Sequence, residues 1–135
     1  MELKNKKAIV TGSSGGIGAE IALQFAREGA DIVINYNSNK DGAMATSRKI
    51  ENIGRKCIVI HADVSKEDQA KMLIEESIKE FGNIDILVNN AGGGGVIPEG
   101  NFTEIPLDFW REQIDLNLYG AIYCSYYVLK NMLAK

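Results

Sequence analysis

The sequence predicts an α/β protein built on a doubly wound parallel sheet, and three observations carry that reading. Short apolar runs alternate with helical patterns along the chain. The runs are apolar almost throughout rather than at every second residue, as a sheet covered on both faces requires. A glycine-rich segment, Thr11-Gly12-Ser13-Ser14-Gly15-Gly16-Ile17-Gly18, joins the first run to the first helical pattern. Such a turn brings backbone N–H groups and a helix N-terminus to bear on an anion. Right-handed crossovers then give the strand order 3-2-1-4, with ligands expected where that order reverses, between the first and fourth strands.

Lys6-Lys7-Ala8-Ile9-Val10 reads as the first strand. The helix after the turn sets Ile17, Ile21 and Phe25, with Gly18, Ala22 and Ala26 beside them, on one face at spacing four. Asp31-Ile32-Val33-Ile34-Asn35-Tyr36 is the second strand, and a helix from about Lys40 to Ile53 follows, closed by Gly54. Cys57-Ile58-Val59-Ile60-His61 is the third strand. Ser65 can cap the next helix, whose core face is Ala70, Leu73, Ile74, Ile78 and Phe81, and Gly82 ends it. The fourth strand, Ile84 to Val88, leads to Gly92-Gly93-Gly94-Gly95, which reads as a mobile loop. A final helix runs from near Leu107 to Lys135, with Pro106 near its start, where a missing N–H is tolerated. Trp110, Ile114, Asn117, Ala121, Cys124 and Val128 form its stripe toward the sheet, while Leu118, Tyr119, Ile122, Tyr123, Tyr126 and Tyr127 crowd its other faces. A helix apolar around most of its circumference is buried on more than one side.

The chain has 135 residues, one domain at about 100–200 residues per domain. No apolar run approaches the ~18–20 residues of a membrane span, and Met1 to Lys7 shows no secretory pattern. A net charge of −3 with scattered Lys and Arg argues against a nucleic-acid surface. Cys57 and Cys124, lacking a CxxC pattern or a histidine partner, read as free buried thiols of a cytoplasmic protein rather than a disulfide or metal site.

The glycines do not follow Gly-x-Gly-x-x-Gly. Thr-Gly-x-x-x-Gly-x-Gly resembles the short-chain dehydrogenase/reductase family instead, and a second segment agrees. Asn89-Asn90-Ala91-Gly92 follows the fourth apolar run, and that family carries Asn-Asn-Ala-Gly at the end of its fourth strand. The resemblance spans essentially the whole chain and corresponds to the cofactor-binding half of a complete member. It implies a Rossmann-like domain over residues 1–135, incomplete at its C-terminal end before a fifth strand. It also implies an NAD(P)-dependent oxidoreductase moving a hydride between nicotinamide and a carbonyl or secondary alcohol. Among relatives the stretch is similar to 3-oxoacyl-carrier-protein reductases and glucose-type dehydrogenases.

Gly12, Gly16, Ile17 and Gly18 are the expected phosphate turn, with Ser13 and Ser14 able to add hydroxyl donors; a merely structural turn is the alternative. By the resemblance, Thr11 ties the first strand to Asn89, and Asn90, Ala91 and Gly92 line the ribose and nicotinamide side. Asp63 matches the family position that contacts the adenine amino group, with Val64 flanking the ring; otherwise it is a loop residue near the next helix cap. His61, the only histidine, reads as a strand-end residue. An acid after the second strand would bind the ribose 2′-OH of NAD, but this chain has Tyr36, Asn37, Ser38, Asn39 and Lys40 there. That favours NADP(H). NAD remains possible, because many NADP-preferring members carry Arg or Lys where this chain has Gly15.

Asn117, in Asn117-Leu118-Tyr119-Gly120, matches the family's catalytic asparagine, which supports a water linked to the active-site lysine. The alternative is a structural amide that fixes helix packing. The other tetrad members, a Ser after the fifth strand and a Tyr-x-x-x-Lys pair, have no counterpart in that context. Tyr126 and Lys130 spell the pair but lie on the helix of Asn117, so the match reads as accidental and the 135-residue chain is expected to be inactive alone. Two other functions are open: a non-catalytic nucleotide-binding module, and a methyltransferase, against which both motifs argue. The family resemblance further implies a homodimer or homotetramer assembled through the helix at 107–135.

Overall fold

Side chains alternate across a strand, so one central strand supplies both faces of the core. In β1 (Lys7–Val10), Ala8 and Val10 join one apolar cluster and Ile9 the other. The computed structural model describes residues 1–93 and 97–134. It places β1 between β2 (Asp31–Tyr36) and β4 (Ile86–Val88), with β3 (Cys57–His61) outside β2. The order is β3-β2-β1-β4, all parallel, as the sequence predicts. Helices α1 (Gly16–Arg27) and α2 (Lys40–Asn52) cover the Val10, Ile32 and Ile34 face. Helix α3 (Glu67–Phe81) and helix α5 (Gly120–Leu133) cover the Ile9 and Val33 face.

Several local expectations are corrected. The buried side of α1 is Gly18, Ala19, Ala22, Leu23 and Ala26. Of the large residues anticipated there, Ile21 and Phe25 pack partly buried against the cluster, whereas Ile17 is 76% exposed in the first turn of the helix. Ser65 does not cap α3; its hydroxyl donates to Asp63 Oδ1 at 2.6 Å, and Lys66 holds the N-cap position without a side-chain bond. The fourth strand begins at Ile86 rather than Ile84, since the Ile84 N–H donates instead to Asn131 Oδ1 of α5 at 2.8 Å.

The largest correction concerns the final helix. It is α4 (Leu107–Ile114), a π-helical turn at Asp115–Tyr119, and then α5. The extra residue in the wide turn breaks the anticipated stripe: Gly120, Cys124 and Val128 are buried, while Ile114 and Asn117 are exposed. The Gly120 N–H reaches back to Asp115 O, and Asn117 Nδ2 donates to Gln113 O at 2.9 Å, serving a carbonyl at the α4–π junction. Tyr123 and Tyr127 pack against the core, and the Tyr127 hydroxyl donates to Glu67 Oε1 at 2.7 Å. That hydrogen bond raises the Tyr127 pKa to about 12. A short 3-10 turn at Phe102–Glu104, not foreseen from the sequence, precedes Pro106, which sits just ahead of α4. Gly94, Gly95 and Lys135 lie outside the described residues.

Cys124 is buried and Cys57 partly so, neither in a disulfide. Burial pushes both thiols up, from 9.0 to about 11. The neutral thiol is therefore favoured in the folded state. Its contribution to stability is full below pH 9.0 and is lost as pH rises toward 11. Ellman's reagent at pH 8 should react slowly with the native chain and rapidly with both thiols in urea. Fast reaction of Cys124 in the native state would contradict this packing.

Candidate functional site

The carboxyl ends of the strands open onto a cleft of about 260 Å³ at the reversal of strand order. Of the residues anticipated from sequence, Gly12, Ser14, Tyr36, Asn37, Ser38, Asp63, Val64, Ala91 and Gly92 line it. Asn35, Asn39, Ala62 and Leu116 complete the wall.

The glycine turn is interlocked with the end of β4. Gly12 has φ +60, and a Cβ there would lie 2.8 Å from Ala91 Cα. A Cβ on Gly18 would collide with Asn90 Nδ2 and Gly12 O. In front of Gly16, at φ +56, the space is open. Thr11 makes the cross-strand tie, but to Asn90 and Ala91 rather than Asn89: its Oγ1 accepts their N–H groups at 3.0 and 2.9 Å. The Asn90 amide is turned inward and donates to Thr11 O at 3.1 Å and Gly12 O at 3.0 Å. Asn89 bonds Ser125 on α5 instead.

The turn's amides divide into two groups. Gly12 N–H donates to Asn35 Oδ1 at 3.1 Å, and Ser13 N–H to Asn35 O at 2.9 Å. From Ser14 to Gly18 the five successive N–H groups have no acceptor among the described residues. Helix α1 also lacks a side-chain cap and an acid in its first turn. Its positive end therefore carries no protein counter-charge among the described residues. The Ser13 hydroxyl is already committed. The residue is fully buried, and its hydroxyl donates to Val10 O at 2.6 Å and accepts from Asn35 N–H. Ser14 is the serine that lines the cleft.

At the far wall, Asp63 takes the loop role considered for it and keeps one oxygen open. Its Oδ1 accepts from the Ser65 N–H and hydroxyl, at 3.0 and 2.6 Å, shaping the turn before α3. Its Oδ2 has no partner among the described residues. Gly120 lets α5 pack close to Val64, whose Cγ2 lies 3.1 Å from where a Cβ would stand. Tyr36 and His61 have ring centroids 5.1 Å apart. Asn37 and Ser38 are exposed at the rim, whereas Asn39 caps α2 by accepting the Gly42 N–H at 3.0 Å.

Asn117 does not line the cleft; it is exposed rather than buried among apolar neighbours, in an adjoining hollow with Gly93, Phe109 and Trp110. Its Oδ1 accepts the Gly93 N–H at 3.1 Å, and a Cβ on Gly92 would come within 2.6 Å of that oxygen. Tyr126 and Lys130 line a separate groove between α3 and α5. The residue missed in the sequence is Asn35, although a buried amide within an apolar strand was the available signal.

Comparison with known proteins agrees with this geometry. A family model described as short chain dehydrogenase matches residues 6–135. Glucose 1-dehydrogenase 2 of Bacillus subtilis is 39% identical over 132 residues, covering 98% of this chain and 50% of its own. The 3-oxoacyl-acyl-carrier-protein reductase FabG of Staphylococcus epidermidis is 40% identical over 129 residues, 96% of this chain and 52% of its own. A short chain dehydrogenase from Burkholderia cenocepacia, solved in complex with NADP, superposes with a TM-score of 0.91 at 34% identity, over 98% of this chain and 53% of that one. A blue fluorescent protein from a metagenomic library, in complex with NADPH, gives a TM-score of 0.90 at 34% identity, with 98% and 53% coverage. The chain spans about half the length of these relatives. From the motifs, the sheet order and the family match together, this chain is a member of the short-chain dehydrogenase family.

Proposed function

We propose that the chain is the dinucleotide-binding part of an NADP(H)-dependent oxidoreductase acting on a carbonyl or secondary alcohol, with NAD a possible second cofactor. The observation that carries this is the run of five unengaged amides from Ser14 to Gly18 at the start of α1. Those amides and the Ser14 hydroxyl would hold the pyrophosphate. Asp63 Oδ2 would accept from the adenine amino group, with Val64 against the ring. Asn37 and Ser38 offer neutral donors at the rim, suited to a 2′-phosphate. Ala91 and Gly92 leave room on the nicotinamide side. Bound there, the cofactor supplies or accepts a hydride. Asn117, held by Gly93 and Gln113, would orient groups at that end. Two similar proteins solved with NADPH or NADP support the cofactor class.

Calorimetry should show NADPH binding equal to or tighter than NADH. Gly16→Val should abolish binding, since its side chain enters the open space before the turn and φ +56 disfavours it. Asn37→Asp should shift preference toward NADH by about tenfold, from one like-charge contact near the surface. A strong preference of the unsubstituted chain for NADH would refute the reading of Tyr36 to Ser38.

The chain alone should give no ketone-dependent loss of NADPH absorbance. A general acid/base contributes ~10²–10⁴-fold, and none stands beside Asn117 among the described residues. Clear turnover would redirect attention to Tyr126 and Lys130.

The outer face of α5 is proposed as a self-assembly surface. Tyr126 is 72% exposed, and Ile122, Leu129 and Leu133 are exposed with it. Aromatic residues with a polar tip suit such contacts. Ile122→Glu with Tyr126→Glu should give smaller species in sedimentation that still bind NADPH. An unchanged oligomer would place the contact elsewhere.

A further inference from the structure

Asn35 is 2% exposed and sits on the floor of the cleft at the end of β2. Its side chain joins two regions that are remote in sequence. Oδ1 accepts from Gly12 N–H at 3.1 Å, at the entrance to the glycine turn. Nδ2 donates to Ala62 O at 3.1 Å and to Ile60 O at 3.3 Å, on the segment that delivers Asp63 and Val64. Only this amide orientation matches donors with acceptors on both sides. The backbone adds a second pair of bonds, Asn35 N–H to Ser13 Oγ at 3.1 Å and Ser13 N–H to Asn35 O at 2.9 Å.

We propose that Asn35 is a positioning residue that fixes the span between the phosphate turn and the Asp63–Val64 wall. It thereby couples recognition of pyrophosphate to recognition of adenosine. The idea rests on the nucleotide reading above. Two features give it content. First, the Asn35 side chain engages the Gly12 N–H and its backbone carbonyl the Ser13 N–H, so the unengaged amides begin at Ser14. Second, the turn is gripped from the other side by Asn90, which takes the carbonyls of Thr11 and Gly12. With the Asn35 side chain removed, the Ser13 backbone bonds and the β2–β3 ladder would remain, but no side chain would tie Gly12 directly to Ala62. Each half-site would survive while their separation was set less tightly.

A ligand that bridges both half-sites gains from their fixed separation, whereas one that occupies a single half-site does not. The test uses three probes, adenosine, inorganic pyrophosphate and ADP, titrated by NMR into the chain and its Asn35→Ala and Asn35→Thr variants. Circular dichroism checks that each variant folds. The expected result is an ADP affinity lowered at least about tenfold in Asn35→Ala, the scale of one lost hydrogen bond to a fixed group. Adenosine and pyrophosphate should each change by less than about threefold. Asn35→Thr, whose hydroxyl can accept from Gly12 N–H, should recover part of the ADP affinity.

A merely structural role would weaken all three probes in parallel, and that outcome overturns the proposal. So does undiminished ADP binding in a folded Asn35→Ala. Should neither variant fold, the unsubstituted chain decides. The Asn35 side-chain NH₂ resonances should exchange slowly with solvent and move when either adenosine or pyrophosphate is added alone. Resonances unmoved by both probes would overturn the coupling. If the unsubstituted chain binds no ADP at all, the nucleotide reading fails along with the proposal. If it binds ADP and the variants lose all three probes equally, only the coupling fails.

Discussion

Everything at the carboxyl end of this sheet depends on how the backbone polar groups between Thr11 and Gly18 are satisfied. A buried N–H or C=O without a partner costs about 1–3 kcal/mol, so the chain must account for each of them. Carbonyls of Thr11 and Gly12 go to Asn90, and the N–H groups of Gly12 and Ser13 go to Asn35. The Thr11 hydroxyl serves the N–H groups of Asn90 and Ala91. After that the pattern stops, and five N–H groups have no protein acceptor among the described residues. The same segment is over-determined at its start and open at its end. That contrast is the feature on which the proposed pyrophosphate site rests.

The close approaches follow from the same shortage of space. Gly12 and Gly18 admit no Cβ because β4's end and the turn's own carbonyl occupy that volume. Gly42 is constrained likewise, since a Cβ there would strike the Asn39 side chain and Ser14 O, so α2 begins hard against the turn. At the opposite end, the π-helical turn widens the helix where Asn117 sits, and its amide bridges Gln113 to Gly93. Single π turns are rare and concentrate at functional sites. Here the turn also shifts the helix register, so that Gly120, Cys124 and Val128 face the sheet.

Strand order, strand positions and the two motifs were legible in the sequence because they rest on local signals: apolar runs, turn glycines, helix periodicity. Side-chain commitments were not. Ser13 and Ser14 look alike in sequence, yet only Ser14 reaches the cleft, because Ser13 falls where Val10 O and Asn35 N–H need a partner. Ile17 has the spacing of a core residue, but the buried face of α1 runs through Ala19, Ala22, Leu23 and Ala26, and Ile17 in the first turn is left in solvent. The stripe through Ile114 and Asn117 failed for a different reason, since a regular helical period cannot anticipate an inserted π turn. Asn35 was visible as a polar residue in an apolar strand, but its importance emerges only once β3 and the turn are brought around it.

The central claim is that the turn is held at Gly12 and Ser13 and open from Ser14 onward before any ligand arrives. Residue-resolved amide hydrogen exchange on the unliganded chain, repeated with saturating NADPH, tests it most directly. The account predicts slow exchange at Gly12 and Ser13 in both states. At Ser14 to Ile17 it predicts fast exchange without NADPH and marked slowing with it. Exchange at Gly12 and Ser13 as fast as at Ser14 in the unliganded chain, or no slowing from Ser14 to Ile17 when NADPH is bound, would contradict it.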